Sequence, residues 1–127
     1  MILNRRQFLL LTVGLAAGCS SVQEEHHAER TINAGPAGDY AVDGVYVRFR
    51  NLGFFVVRKE DKLFALSAFC THRRCKLSAE KDRTFYCPCH GSTFNGLGHV
   101  TTGPAKRDLP VLATTVDDHG DLLVTVL

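Results

Sequence analysis

Hydrophobic positions along this chain alternate with polar ones or bunch into runs too short for helices. Val45-Tyr46-Val47-Arg48-Phe49-Arg50 alternates, and Gly53-Phe54-Phe55-Val56-Val57-Arg58 is β-branched and aromatic, so both read as strands. Glu60-Asp61-Lys62 reads as a turn, followed by a strand over Leu63-Phe64-Ala65-Leu66-Ser67. Thr84-Phe85-Tyr86 is a further short β segment. Near the C-terminus, Val111 to Val116 and Leu122 to Leu127 flank Asp117-Asp118-His119-Gly120, a hairpin signal. No long amphipathic pattern is present. Short strands with regular turns predict an all-β domain over residues 39–127, a small antiparallel barrel or sandwich.

A different pattern precedes residue 39. Asn4-Arg5-Arg6-Gln7 leads into an apolar run from Phe8 to Ala17, then Gly18-Cys19. A basic start, about ten apolar residues and a small-residue exit read as an export signal over 1–19; the run is short of the ~20 residues a membrane-spanning helix needs. Adjacent arginines before Phe8-Leu9 resemble a twin-arginine signal. Leu15-Ala16-Ala17-Gly18-Cys19 resembles a bacterial lipobox, which makes Cys19 the expected lipidation site; the alternative is an uncleaved anchor. Residues 20–38 are polar and turn-rich and read as a flexible tether, with His26-His27 as solvated residues. These features predict a protein held at a membrane on its outer, periplasmic side.

Composition changes this picture little. The 127 residues make one domain, and 45% hydrophobic with 22% charged content is ordinary for a globular protein. A net charge of +2 gives no support for nucleic-acid binding, and no Gly-rich phosphate loop suggests a nucleotide. Met1 is the single methionine, which leaves none to serve as an axial haem ligand.

The candidate chemistry lies in two short segments, Cys70-Thr71-His72-Arg73-Arg74-Cys75 and Cys87-Pro88-Cys89-His90-Gly91-Ser92. Two thiolates and two imidazoles from separate loops match a 2Fe-2S cluster of mixed ligation, in which cysteine holds one iron and histidine the other. Structural zinc uses the same donor types, but its usual Cys-x-x-Cys knuckle is missing from both segments. Two unrelated disulfides would leave His72 and His90 idle.

This pattern resembles the Rieske iron–sulfur family, and the extra cysteines resemble its disulfide-bearing branch. The resemblance covers residues 63–105 and implies the same small β-fold. It implies that Cys70 and Cys87 ligate the inner iron and His72 and His90 the outer one. It also implies a Cys75–Cys89 disulfide between the loops, and a Ser92 hydroxyl bonding a bridging sulfide. Phe94 stands where high-potential members carry a tyrosine, so the potential is expected below the top of the family's span of about −150 to +300 mV. Gly103-Pro104 resembles the loop that covers the cluster, and Gly96 and Gly98 are expected in turns.

Quinol-oxidising members carry Leu-Gly where this chain has Arg73-Arg74. Arginine in a glycine position is expected to change the loop conformation if that glycine needs positive φ. Residues 70–92 hold five basic side chains against two acidic ones, a local +3 that suits an acidic protein partner. The expected function is one-electron transfer between redox partners, as a carrier or as the small subunit of an oxidoreductase such as the arsenite oxidase type. The alternative is the quinol-oxidising subunit of a cytochrome bc-type complex, and a remote one is a structural zinc lipoprotein. A dioxygenase ferredoxin fits less well, since the resemblance gives those no cysteine pair. No residue looks like a general acid, base or nucleophile.

Overall fold

A computed structural model describes residues 29–127; the expected export signal, Cys19, His26-His27 and the first part of the expected tether lie outside the described residues. In chain order the strands are β1 (Arg30–Pro36), β2 (Gly44–Tyr46), β3 (Phe54–Lys59), β4 (Lys62–Ser67), β5 (Ser78–Ala79), β6 (Phe85–Tyr86), β7 (Thr93–Phe94), β8 (Val100–Thr102), β9 (Val111–Leu112), β10 (Thr114–Val116) and β11 (Asp121–Val126). They form three antiparallel sheets in the orders β1-β11-β10, β2-β3-β4-β9 and β5-β6-β7-β8. The all-β expectation holds.

The β2-β3-β4-β9 sheet lies between two apolar clusters. Phe55 and Val57 turn to one side with Leu66, Leu77, Phe85 and Phe94. Phe54 and Val56 turn to the other with Ala65, Leu112, Leu122 and Val124. Cover on both faces is why β3 reads as an unbroken apolar run instead of an alternation. The first cluster also contains Cys70 and Cys87, each 1% exposed, so the candidate centre is built onto the core itself.

Three expectations need correction. Residues 30–38 are not tether: β1 pairs with β11 from Arg30↔Val126 to Pro36↔Asp121, and Ala37–Tyr40 is a 3-10 helix. Only one face of β1 is covered, through Ile32 and Ala34, and its exposed Thr31 and Asn33 gave the segment a loop-like composition. The Tyr40 hydroxyl donates to the Ala34 carbonyl and fixes the helix against the strand. The domain therefore begins near residue 30.

The strand expected over Val45–Arg50 stops at Tyr46. Phe49 turns inward to stack on Phe54 at 5.1 Å, and a second 3-10 helix, Arg50–Leu52, follows. Gly53 closes that helix at φ 102°, and a Cβ there would sit 2.9 Å from the Phe69 ring. The segment Val111–Val116 is two strands in different sheets. They separate at Ala113, whose carbonyl accepts from Thr125 N at 2.9 Å. The expected hairpin at Asp117–Gly120 does join β10 to β11.

Candidate metal centre

The first candidate loop joins β4 to β5 and the second joins β6 to β7. Both have one backbone plan. Cys70 N donates to Cys75 O at 2.8 Å, and Arg74 N donates to Cys70 O at 2.7 Å. Cys87 N donates to Ser92 O at 2.8 Å, and Gly91 N donates to Cys87 O at 2.9 Å. In each loop the residue four after the leading cysteine is left-handed, with Arg74 at φ 58° and Gly91 at φ 84°.

This plan corrects the expected change of loop conformation at Arg74. The arginine adopts the left-handed backbone that a glycine would take there. A side chain in that region costs about 1–2 kcal/mol, and some of this is offset by the guanidinium, which lies 4.7 Å from the centre of the Phe69 ring.

Cys75 and Cys89 are disulfide-bonded and tie the loops together, as the resemblance implies. Their sulfurs and that of Cys87 lie within 4.8 Å of one another, but only Cys87 of the three keeps a free thiol. Cys70 is the other free cysteine among the described residues, and both are buried. Across the loops, the His72 and His90 rings meet nearly edge to face at 4.9 Å. His90 is exposed and His72 half-buried. The His72 Nδ1 atom is buried with no hydrogen-bond partner among the described residues. Such an orphan is costly unless it donates its lone pair to something the protein binds. Two buried free thiols, an orphaned imidazole nitrogen and a second imidazole beside it fit a mixed-ligand iron–sulfur cluster by donor chemistry.

A third segment, residues 103–110, closes over these loops. Ala105 N donates to the buried Ser92 Oγ at 2.9 Å, leaving the serine's own proton without an acceptor among the described residues. The Thr71 hydroxyl donates to Arg107 O at 2.6 Å. Asp108 anchors the segment, accepting from His99 Nδ1 at 2.8 Å and from Val100 N at 2.9 Å. These two bonds, the histidine's first, hold the Asp108 carboxyl below the usual carboxylate range. Leu109 N adds a bond to Gly98 O at 2.8 Å, and Gly98 makes the expected turn at φ 87°. The sequence reading missed Thr71, Arg107, Asp108 and His99. The available signal was one exposed acid between the buried Ala105 and Leu109, too common a pattern to single out.

The basic side chains Arg73, Arg74, Lys76, Lys81 and Arg83 are all exposed. Asp82 accepts from the Thr84 hydroxyl at 2.5 Å and Thr84 N at 3.1 Å, which hold its carboxyl below the usual range.

A disulfide-tied pair of Cys/His loops on a three-sheet β-fold defines a small iron–sulfur protein with mixed ligation. Comparison with known proteins agrees: the Rieske [2Fe-2S] domain matches residues 30–113, and the chain belongs to that family. The cofactor is accordingly a 2Fe-2S cluster of the Rieske type. The cytochrome b6-f complex iron-sulfur subunit of Arabidopsis thaliana is 37% identical over 73 residues, which cover 54% of this chain and 32% of that protein. Subunit 2 of the same complex in Synechocystis is 35% identical over 75 residues, 57% of this chain and 42% of that one. The match thus spans less than half the length of either relative. Among solved structures, the cyanobacterial plasma membrane Rieske protein PetC3 from Synechocystis aligns with TM-score 0.53 and 31% identity, over 73% of this chain and 97% of that one. No helix among the described residues is long and apolar enough to cross a membrane.

Proposed function

We propose that this protein carries single electrons between redox partners at the outer face of a bacterial membrane. When bound, the cluster supplies a reversible one-electron couple. Cys70 and Cys87 hold its buried iron as thiolates, and His72 and His90 hold the other through imidazole. The observation that carries this reading is the orphaned, buried Nδ1 of His72 beside the exposed ring of His90. That pair offers a donor inward and an electron exit outward. Ser92 has a proton free to donate toward the bridging sulfide, and Ala105 N holds its oxygen in place. The disulfide ties the two loops together. Export and anchoring rest on Arg5-Arg6 and on Leu15 to Cys19. A twin-arginine route suits a protein that folds around its cofactor before export.

The exposed Arg73 and Arg74, which follow His72 in the first loop, favour an acidic protein partner. A second reading, the quinol-oxidising subunit of a bc-type complex, draws support from relatives named as cytochrome b6-f subunits. Arg73-Arg74 argues against it, since a quinol pocket receives an apolar tip. The first experiment is electron paramagnetic resonance of the dithionite-reduced protein with metal analysis. Two irons and a signal of average g below that of an all-cysteine centre are expected. A silent, colourless protein containing zinc would replace electron transfer with a structural role. Rapid reduction by a quinol would favour the second reading.

A further inference from the structure

Beside the first candidate loop, under residues 107–110, a surface cleft of about 340 Å³ opens onto Cys70 and Thr71. Its volume falls within the ~300–1,000 Å³ usual for small-molecule sites. Arg74 and Arg107 both line it. The Arg74 guanidinium carbon lies 4.7 Å from the centre of the Phe69 ring, and its N–H groups have no hydrogen-bond acceptor among the described residues. Arg107 Nη2 approaches the Thr71 carbonyl only at 3.5 Å. Neither guanidinium meets a carboxylate among the described residues. The one acid on the wall, Asp108, already accepts through both oxygens from His99 and Val100. Ser67, also on the wall, accepts from Phe69 N at 3.2 Å and keeps its own proton to donate. The cleft is therefore a pocket of free donors and net positive charge, whose apolar wall is Phe69 and Pro110.

We propose that this cleft binds a carboxylate carried on a short aliphatic stem. The two guanidiniums and the Ser67 hydroxyl take the carboxylate, while Phe69 and Pro110 cover the stem. The Phe69 and Pro110 wall gives an aliphatic stem an apolar surface to cover, which a bare inorganic oxyanion cannot use. The carboxylate comes either from a free dicarboxylic acid or from a glutamate side chain of a redox partner. A negative charge held against Cys70 favours the oxidised protein, so occupancy lowers the reduction potential. Binding itself does not depend on the electron-transfer reading; the effect on potential does.

The test titrates the intact oxidised protein with glutarate, with an N-acetylated, C-amidated Ala-Glu-Ala peptide, and with inorganic phosphate, at constant ionic strength. Binding is followed by arginine side-chain N–H shifts and by calorimetry. Saturable glutarate binding is expected, weakened at least tenfold in Arg107→Gln and in Arg74→Gly and partly kept in Arg107→Lys. Arg107→Gln is the safeguard variant, since the Thr71 bond goes to the Arg107 backbone. Tighter binding of the peptide assigns the site to a partner's side chain, and tighter glutarate binding assigns it to a free acid. A tenfold preference for the oxidised protein would lower the midpoint potential by about 59 mV at saturation. No saturable binding, equal affinity in the variants, or phosphate binding as tight as glutarate would overturn the proposal. Binding without a potential shift would keep the site and discard its redox coupling.

Discussion

At the scale of single residues, Phe94 and Arg74 carry the clearest expectations. Phe94 is fully buried in β7, directly after the second loop. Phe94 shares a buried cluster with Cys70 and Cys87, the proposed ligand cysteines; the hydroxyl of Phe94→Tyr is expected to donate toward a ligand sulfur, and such a donor favours the more negative reduced state. A net hydrogen bond of about 0.5–1.5 kcal/mol converts to a rise of roughly 20–60 mV. Protein-film voltammetry would measure it, and a downward shift would refute the account. Arg74 separates two opposing effects. Arg74→Ala keeps the left-handed strain and loses the Phe69 stack, whereas Arg74→Gly loses both. The glycine variant should therefore be the more stable by about 1 kcal/mol in urea denaturation. The reverse order would mean that the loop relaxes into another conformation.

At the scale of elements, the 103–110 segment is the piece that braces both candidate loops, and Asp108 fixes it to β8. The Asp108 carboxyl titrates below the usual carboxylate range, so the unfolded chain binds its proton first as pH falls. The resulting stability is fully present above the ordinary carboxylate range and disappears as pH drops through the depressed value. Asp108→Asn should melt below wild type at neutral pH, with the gap closing in acid; a constant gap across pH would assign the loss to packing. This brace was not legible in the sequence, because it joins residues whose pairing depends on where the loops fold. The loops were legible, since little besides a mixed-ligand centre places four donor side chains and two further cysteines at such fixed offsets. Strands with paired apolar cover, β3 and β4, were legible because their apolar runs are dense and bounded by turn residues. β1 was not: its covered face is only Ile32 and Ala34, and its partner β11 lies at the far end of the chain. The Ala113 switch between sheets was equally hidden, because apolar content continues through it.

At the scale of the whole molecule, β1 decides where the folding unit begins. A chain starting at residue 39 loses the strand that covers β11 and the carbonyl that receives the Tyr40 hydroxyl, so it should fail to melt cooperatively. A chain starting at Glu29 should melt cooperatively and retain its visible absorbance. Equal behaviour of the two chains would return β1 to the tether. The same molecule leaves Arg73 exposed directly after the half-buried His72. Exposed charges steer encounter more than they strengthen the complex, and their reach is the Debye length, about 10 Å at 0.1 M salt and 3 Å at 1 M. Electron exchange with a small acidic redox protein should therefore slow as salt rises, while exchange with a basic protein of matched potential should quicken. Arg73→Glu places the charge reversal outside the cleft and leaves Arg74 in its stack. It should cut the stopped-flow rate with the acidic partner several-fold at low salt and hardly at all at 1 M. A loss that persists at 1 M would mean that Arg73 makes a specific contact in the electron-transfer complex, and an increase at low salt would reverse the sign of the partner.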